Sequence, residues 1–305
     1  MKKAGKLKMS LDRKIFIIGM LSIPLIKWAI FWTTTNFGMI LLAFKHPRTG
    51  EFAWINFKTI FDSISSTNGA LGISLKNTFL YFFWDSIVLF VLNLIMAYIL
   101  FKQVWGHKVF RIIFYLPAII SGIAMTTVFM EFIKTDGPLN LIYNFFGGTD
   151  FPERGLLGQV STATTTIIVY TFWVGFTGNL ILFSSALARI PIEILESARL
   201  DGCGSVRELV NIIVPLIFPT ISTMMILSLT GIFGAGGPIL LFTNGDYNTS
   251  TLGFWIFQQV YGNGAVGGTG NYGPVSAAGL VFTLIGFPII MIVKWLLDKV
   301  PAVEY

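Results

Sequence analysis

Cysteine occurs once in this 305-residue chain, at Cys203, so no internal disulfide is available to it. Histidine occurs twice, at His46 and His107, and no cluster of histidines and cysteines has metal-site spacing, which argues against metal catalysis. A phosphate-cradling Gly-x-x-x-x-Gly-Lys-Ser/Thr loop is missing as well. The one Gly-Lys pair, Gly5-Lys6, lacks both the earlier glycine and the following hydroxyl, so the chain is not expected to hydrolyse ATP alone. Charged residues make up only 12% of the chain, against 54% hydrophobic residues and a mean hydropathy of +0.75. That is too little polar surface to clothe a soluble globule, and the chain reads as an integral membrane protein.

Six apolar runs fill most of the remainder, over residues 15–44, 78–101, 110–132, 164–187, 212–242 and 275–297. Each reaches the roughly 20 residues that a spanning helix requires. The expectation is an all-α integral membrane fold of about six transmembrane helices. Its parts are a basic N-terminus over 1–14, one membrane domain over 15–298 and a tail over 299–305. Lys2, Lys3, Lys6, Lys8, Arg13 and Lys14 precede the first run, Lys102, Lys108 and Arg111 follow the second, and Arg189, Arg199 and Arg207 lie between the fourth and fifth. By the positive-inside rule these segments and both termini are cytoplasmic, although Lys45, Arg48, Lys58 and Lys76 lessen the contrast across the membrane. The net charge of +6 is thus a topology signal and gives no basic stripe for nucleic acid. The start resembles a secretory signal, but no small-residue cleavage site follows and Lys27 interrupts the run, so it reads as a retained helix.

The outer loops, 45–74, 134–159 and 244–273, are rich in turn-forming residues and are candidates for meeting an external partner. Gly231, Gly234, Gly236, Gly237 and Pro238 point to a broken or bent helix at the outer end of the fifth run. Gly262-x-Gly264-x-x-Gly267 matches a dinucleotide fingerprint only as a string: no strand precedes it and no crossover helix follows, so it reads as a loop. Asn248-Thr-Ser forms a sequon, to which no function is assigned.

The densest signal is the charged interruption at 196–215, ESARLDGCGSVRELVNIIVP. Pro191 suits a first helical turn, Asp201-Gly202 a tight break, and Ser205 with Glu208 a capping box that restarts a helix. Two short helices then meet at an elbow over about 188–215. Ala198 and Gly202 keep it slim; Glu196, Arg199 and Asp201 charge one side; Val206, Leu209, Val210 and Ile213 supply apolar positions at helical spacing. Such an elbow suits a partner's groove.

Glu196, Ala198, Gly202, Ile212 and Pro215 fall at the spacing of the EAA loop, and here the chain resembles the membrane subunits of binding-protein-dependent ABC importers. Ser197 replaces the motif's second alanine and Val214 its leucine. Residues 186–191, ALARIP, together with Asp201 before Gly202, are similar to the carbohydrate branch of that family. Cys203 stands where a small residue suits the break. The resemblance implies a permease subunit of a type I importer in a bacterial plasma membrane, carrying a sugar or oligosaccharide. It also implies a second permease, two cytoplasmic ATPase subunits that bind ATP and Mg, and an extracytoplasmic solute-binding protein. Glu196, Ser197, Ala198, Arg199, Asp201, Gly202, Cys203 and Pro215 would then form the coupling loop, with polar contacts to the ATPase around Glu196. No cofactor is implied in this chain itself. Non-sugar cargo, or a stand-alone carrier or channel, is the competing reading.

For the transport path, Trp173 stands among Gly175, Gly178 and Asn179 in the run that feeds the elbow, and Ser228 and Thr230 lie in the next run. Aromatic faces stack on sugar rings while amides and hydroxyls pair with sugar hydroxyls, so Trp173, Asn179, Ser228 and Thr230 are the candidate pathway residues, with plain helix packing as the alternative. Lys27 and Asp85 fall at similar depths in the first two runs; they either pair or take separate snorkelling or cavity-lining roles.

Overall fold

The computed structural model describes residues 11–47, 49–66, 69–262 and 272–300. Most of the basic N-terminus, Arg48, Gly264 and Gly267 of the glycine string, and the end of the tail lie outside the described residues. Helices follow in the order α1 (Leu11–Ala43), α2 (Ile55–Ser65), α3 (Ala70–Phe83), a π-helical stretch (Trp84–Leu89), α4 (Phe90–Phe101), α5 (His107–Ile119), α6 (Gly122–Ile133), α7 (Pro138–Phe145), α8 (Ala163–Leu187) and α9 (Ile192–Leu200). Then come α10 (Ser205–Glu208), a second π-helical stretch (Leu209–Ile213), α11 (Val214–Leu216), α12 (Phe218–Thr230), a 3₁₀ turn (Ile232–Gly234), α13 (Ile239–Phe242), α14 (Leu252–Tyr261) and α15 (Tyr272–Leu297). Among the described residues the one β-bridge joins Lys45 and Phe52.

Among the described residues, four helical stretches are long and apolar enough to cross a membrane: Leu11–Ala43, Ala70–Phe101, Ala163–Leu187 and Tyr272–Leu297. Two bent pairs bring the number to six if each is one span. The third run is therefore not one straight helix: α5 and the helix from Gly122 diverge by 109°. Pro117 lies inside α5 and removes an amide donor, Ile120 takes extended backbone at φ −85°, ψ 143°, and Ser121-Gly122 follow with weak helix propensity. The fifth run turns by 75° at Ile217, between Pro215 and Pro219. It stops at Thr230, where the glycine-rich segment leaves helical geometry, and Ala235 is extended.

Packing divides the chain into two compact units, Met1–Ile60 with Asn271–Val281, and Phe61–Gly270 with Phe282–Tyr305. In the first, α1 exposes almost every side chain, including Ile18, Ile23 and Phe31, as a helix bathed in lipid does. Its C-terminal carbonyls are closed by Asn56, 1% exposed, whose amide donates to the carbonyls of Ala43 and Lys45, each at 2.9 Å. Phe44, Phe52, Trp54 and Phe57 cluster around that cap.

Among its described residues the second unit shows two apolar cores. One joins α4, α8 and the residues around the elbow, with Phe90 edge-on to Phe183 at 5.1 Å and Leu180, Leu187, Leu195 and Ile213 fully or nearly buried. The other gathers Tyr81, Ile167, Tyr170, Ile239, Phe242 and Phe254. Polar bonds hold loop 244–251 to α3: Asn77 donates to the carbonyls of Asn248 (2.6 Å) and Ser250 (2.8 Å), and Thr78 accepts from the Leu252 amide (2.8 Å).

Candidate coupling elbow and transport cavity

The elbow is two short helices turned by a glycine. α9 buries Leu195 and Ala198 and exposes Glu193, Glu196, Ser197 and Arg199. At its end the Gly202 amide donates to the Arg199 carbonyl (3.0 Å) and the Cys203 amide to the Ala198 carbonyl (2.9 Å), with Gly202 at φ +75°. This pairing with a left-handed residue is the Schellman closure, which satisfies the carbonyls that a helix C-terminus leaves open. Leu200 (89% exposed) and Val206 (78%) stand out on either side of the turn, beside Glu196, Arg199 and Asp201, all exposed. Cys203 is half-buried. Pro215 lies away from this surface, half-buried just ahead of the Ile217 bend.

The expected capping box is absent. Gly204 occupies the N-cap of α10 and makes no side-chain bond, so Ser205 is already inside the helix. Glu208 turns inward instead, 1% exposed, with Lys102 Nζ 2.5 Å from Oε1 and 2.7 Å from Oε2. The Tyr98 hydroxyl lies 3.0 Å from the Ser205 carbonyl and 3.3 Å from Glu208 Oε1, either of which accepts its proton. Lys102 and Tyr98 supply the partners without which a buried carboxylate at this position would be strongly destabilising. Val206 and Val210 are exposed, so the apolar face of this segment narrows to Ile213 and part of Leu209.

A cavity of about 410 Å³ opens where α3, the first π-helical stretch, α8, α12 and the glycine-rich segment meet. Tyr81, Asp85, Ser86, Thr171, Ser228 and Gly236 are among its lining residues. Ser228 Oγ donates to Ser86 Oγ at 2.5 Å, while the Tyr81 hydroxyl, on a residue 2% exposed, has no hydrogen-bond partner among the described residues. Glycines let the walls close up. A Cβ on Gly175 would lie 2.5 Å from Leu89 Cδ2, and one on Gly237 would lie 2.6 Å from Ile167 Cγ2.

Of the sequence candidates for the path, Ser228 lines this cavity. Trp173 does not: with Val128, Phe129, Phe132 and Val169 it borders a separate, wholly apolar groove of about 360 Å³. Thr230 turns its hydroxyl back to the Leu227 carbonyl at 2.6 Å, and half-buried Asn179 is not among the cavity's lining residues. Asp85 lines the cavity, and Lys27 is exposed on α1. Tyr81 and Ser86 carry no local signal, while Lys102 reads in sequence only as a topology cation and Glu208 only as half of a capping box, because each gains its role here from partners in distant segments.

The family described as "Binding-protein-dependent transport system inner membrane component" matches residues 71–300. The chain is 30% identical over 207 residues to the "Multiple sugar-binding transport system permease protein MsmF" of Streptococcus mutans serotype c, which covers 67% of this chain and 68% of that protein. Its fold matches the crystal structure of a bacterial ABC transporter involved in the import of the acidic polysaccharide alginate, with TM-score 0.79 at 22% identity over 95% of this chain and 97% of the other. A second structure, of a bacterial alginate ABC transporter in complex with an alginate pentasaccharide-bound periplasmic protein, matches with TM-score 0.78 at 22% identity, covering 93% and 94%.

Proposed function

The chain belongs to the family of binding-protein-dependent transport system inner membrane components, and from that premise we propose that it is the permease subunit of an ATP-driven importer whose cargo is a sugar or oligosaccharide. The observation that carries the reading is the elbow. A glycine-closed turn built on buried Leu195 and Ala198 presents Leu200, Val206, Glu196 and Arg199 to a partner. The partner is a separate cytoplasmic ATPase, since this sequence has no phosphate-binding loop of its own. A second permease, a second ATPase and an extracytoplasmic solute-binding protein complete the machine in a bacterial plasma membrane, with both termini of this chain cytoplasmic. The periplasmic protein bound to the alginate transporter supports the binding-protein partner, and the sugar-binding name of the Streptococcus relative supports the cargo class.

Mechanically, closure of the ATPase pair on ATP moves the elbow. α8 leads into it through α9, and α10 to α12 lead out of it, so displacement tilts both spans and repacks the cavity between them and the span of Tyr81 and Asp85. Inside, Asp85, the Ser86–Ser228 hydroxyl pair and the Tyr81 hydroxyl offer hydrogen-bonding groups of the kind sugar hydroxyls need. Glu196→Lys and Leu200→Glu test the docking, because both residues are exposed and their replacement leaves the fold intact. At equal membrane expression both variants are expected to lose ATPase pull-down and ATP-dependent uptake. Intact pull-down and uptake in both would overturn the importer reading in favour of a carrier that needs no ATPase.

A further inference from the structure

The buried Lys102–Glu208 pair joins two parts of the chain that sequence keeps 106 positions apart. Glu208 ends α10, on the outgoing limb of the elbow. Lys102 caps the C-terminus of the continuous helical stretch Ala70–Phe101, and Tyr98, one turn earlier, reaches the same carboxylate and the Ser205 carbonyl. Among the described residues this is the single ion pair with a buried partner; the other two join Lys134 to exposed Glu131 and Asp136. A chain so poor in charge places this buried pair where the elbow meets a span that it does not adjoin in sequence.

That span carries a deformable turn. Its π-helical stretch, Trp84–Leu89, contains both Asp85 and Ser86 of the cavity wall, and π-helical turns insert a surplus residue that lets a helix bend or shift register. The second π-helical stretch, Leu209–Ile213, starts directly after Glu208, so the pair sits beside a deformable turn on one chain segment and below another on its partner. Between pair and cavity, Asn93 is fully buried with neither amide atom hydrogen-bonded. An unpaired amide in an apolar core is costly, so Asn93 is a weakly held polar point of this span.

We propose that the Lys102–Glu208–Tyr98 cluster transmits elbow displacement directly to the Ala70–Phe101 span, and so moves the Asp85–Ser86 wall of the cavity during transport. Lys102, Glu208 and Tyr98 are then positioning residues for coupling, and none touches cargo. The inference rests on the importer reading above. Without the link, only the apolar core that α4 shares with α8 and the elbow joins this span to the ATPase, and apolar surfaces can slide without carrying the third cavity wall.

The test uses the full chain co-expressed with its partner subunits in membrane vesicles. Cys203→Ala removes the sole cysteine, and Ser86→Cys then places a single thiol on the cavity wall. The rate at which a water-soluble maleimide modifies that thiol, with and without ATP and vanadate, reports on the wall. With the pair intact, the modification rate is expected to change on ATP addition. In Lys102→Met/Glu208→Met, which removes both charges and leaves neither unpaired, ATP hydrolysis persists and the modification rate becomes insensitive to ATP. With Ser86 and Cys203 left native, uptake per ATP falls in Lys102→Met/Glu208→Met by about 5–150-fold, the usual range for coupling between sites. The swap Lys102→Glu/Glu208→Lys restores both readouts. An ATP response that survives in the double Met variant overturns the inference and leaves the importer reading standing. Loss of ATPase capture in that variant also overturns it, since the pair would then serve assembly alone. No ATP response with the pair intact sinks the importer reading, and this inference with it.

Discussion

Gly202 offers the cleanest test of why the elbow has its shape. Its φ of +75° is a left-handed conformation, and a Cβ built there meets no atom within 4 Å, so substitution costs backbone strain without any clash. For an ordinary L-residue that strain is about 1–2 kcal/mol, a factor of about 5–30 in the population of the closed turn. Asparagine visits the left-handed region far more readily than alanine, because its side chain hydrogen-bonds locally. Gly202→Ala is therefore expected to destabilise the turn, Gly202→Val more so because its branched Cβ crowds the backbone, and Gly202→Asn least. Amide hydrogen exchange in lipid nanodiscs reads this directly at the Cys203 amide, whose bond to the Ala198 carbonyl closes the turn. Protection there should fall in the order Gly, Asn, Ala, Val, with ATPase capture weakening in the same order. Equal exchange in the Ala and Asn variants, or faster exchange in Asn than in Ala, would refute the strain argument.

Three further outcomes follow from the packing. Gly175→Val places a side chain against Leu89 at the first π-helical stretch and should lower thermal stability by about 1–3 kcal/mol, measured as a fall in Tm of the purified chain. Tyr81→Phe removes a hydroxyl with no partner among the described residues, so Tm should stay within the equivalent of about 0.5 kcal/mol while uptake drops if that hydroxyl meets cargo; unchanged uptake would remove Tyr81 from the path. Asn56→Ala opens the end of α1 at a cost of about 1–3 kcal/mol, seen as faster exchange of residues 44–46 without change at the elbow; unaltered exchange would show that Asn56 is no cap.

The membrane class, the approximate helical runs and the elbow were legible in one dimension. Hydropathy needs only consecutive residues, and Asp201-Gly202 with its flanking helices is a local motif whose bonds span at most five residues. The 109° bend after Pro117 was locally encoded too, yet the apolar run passes through it without a change in hydropathy, so composition alone hides it. Trp173 shows the limit of composition. Its neighbours Gly175 and Asn179 suggest a polar path, but helical rotation turns the ring toward Phe129 and Tyr170.

Glu208 marks the boundary most clearly. Its spacing from Ser205 is that of a capping box, and a purely local energy would have put it there. It turns inward instead, where Lys102 and Tyr98 supply the charge-assisted bonds that a buried carboxylate requires. The sequence by itself determined what short-range physics decides: which segments belong in lipid, where helices stop, and where glycine must turn the chain. Only the tertiary structure decided which polar groups face one another across the spans, the Ser86–Ser228 pair, the unpartnered Tyr81 hydroxyl and the Lys102–Glu208 link, because those encounters depend on the rotation and depth at which separate helices pack.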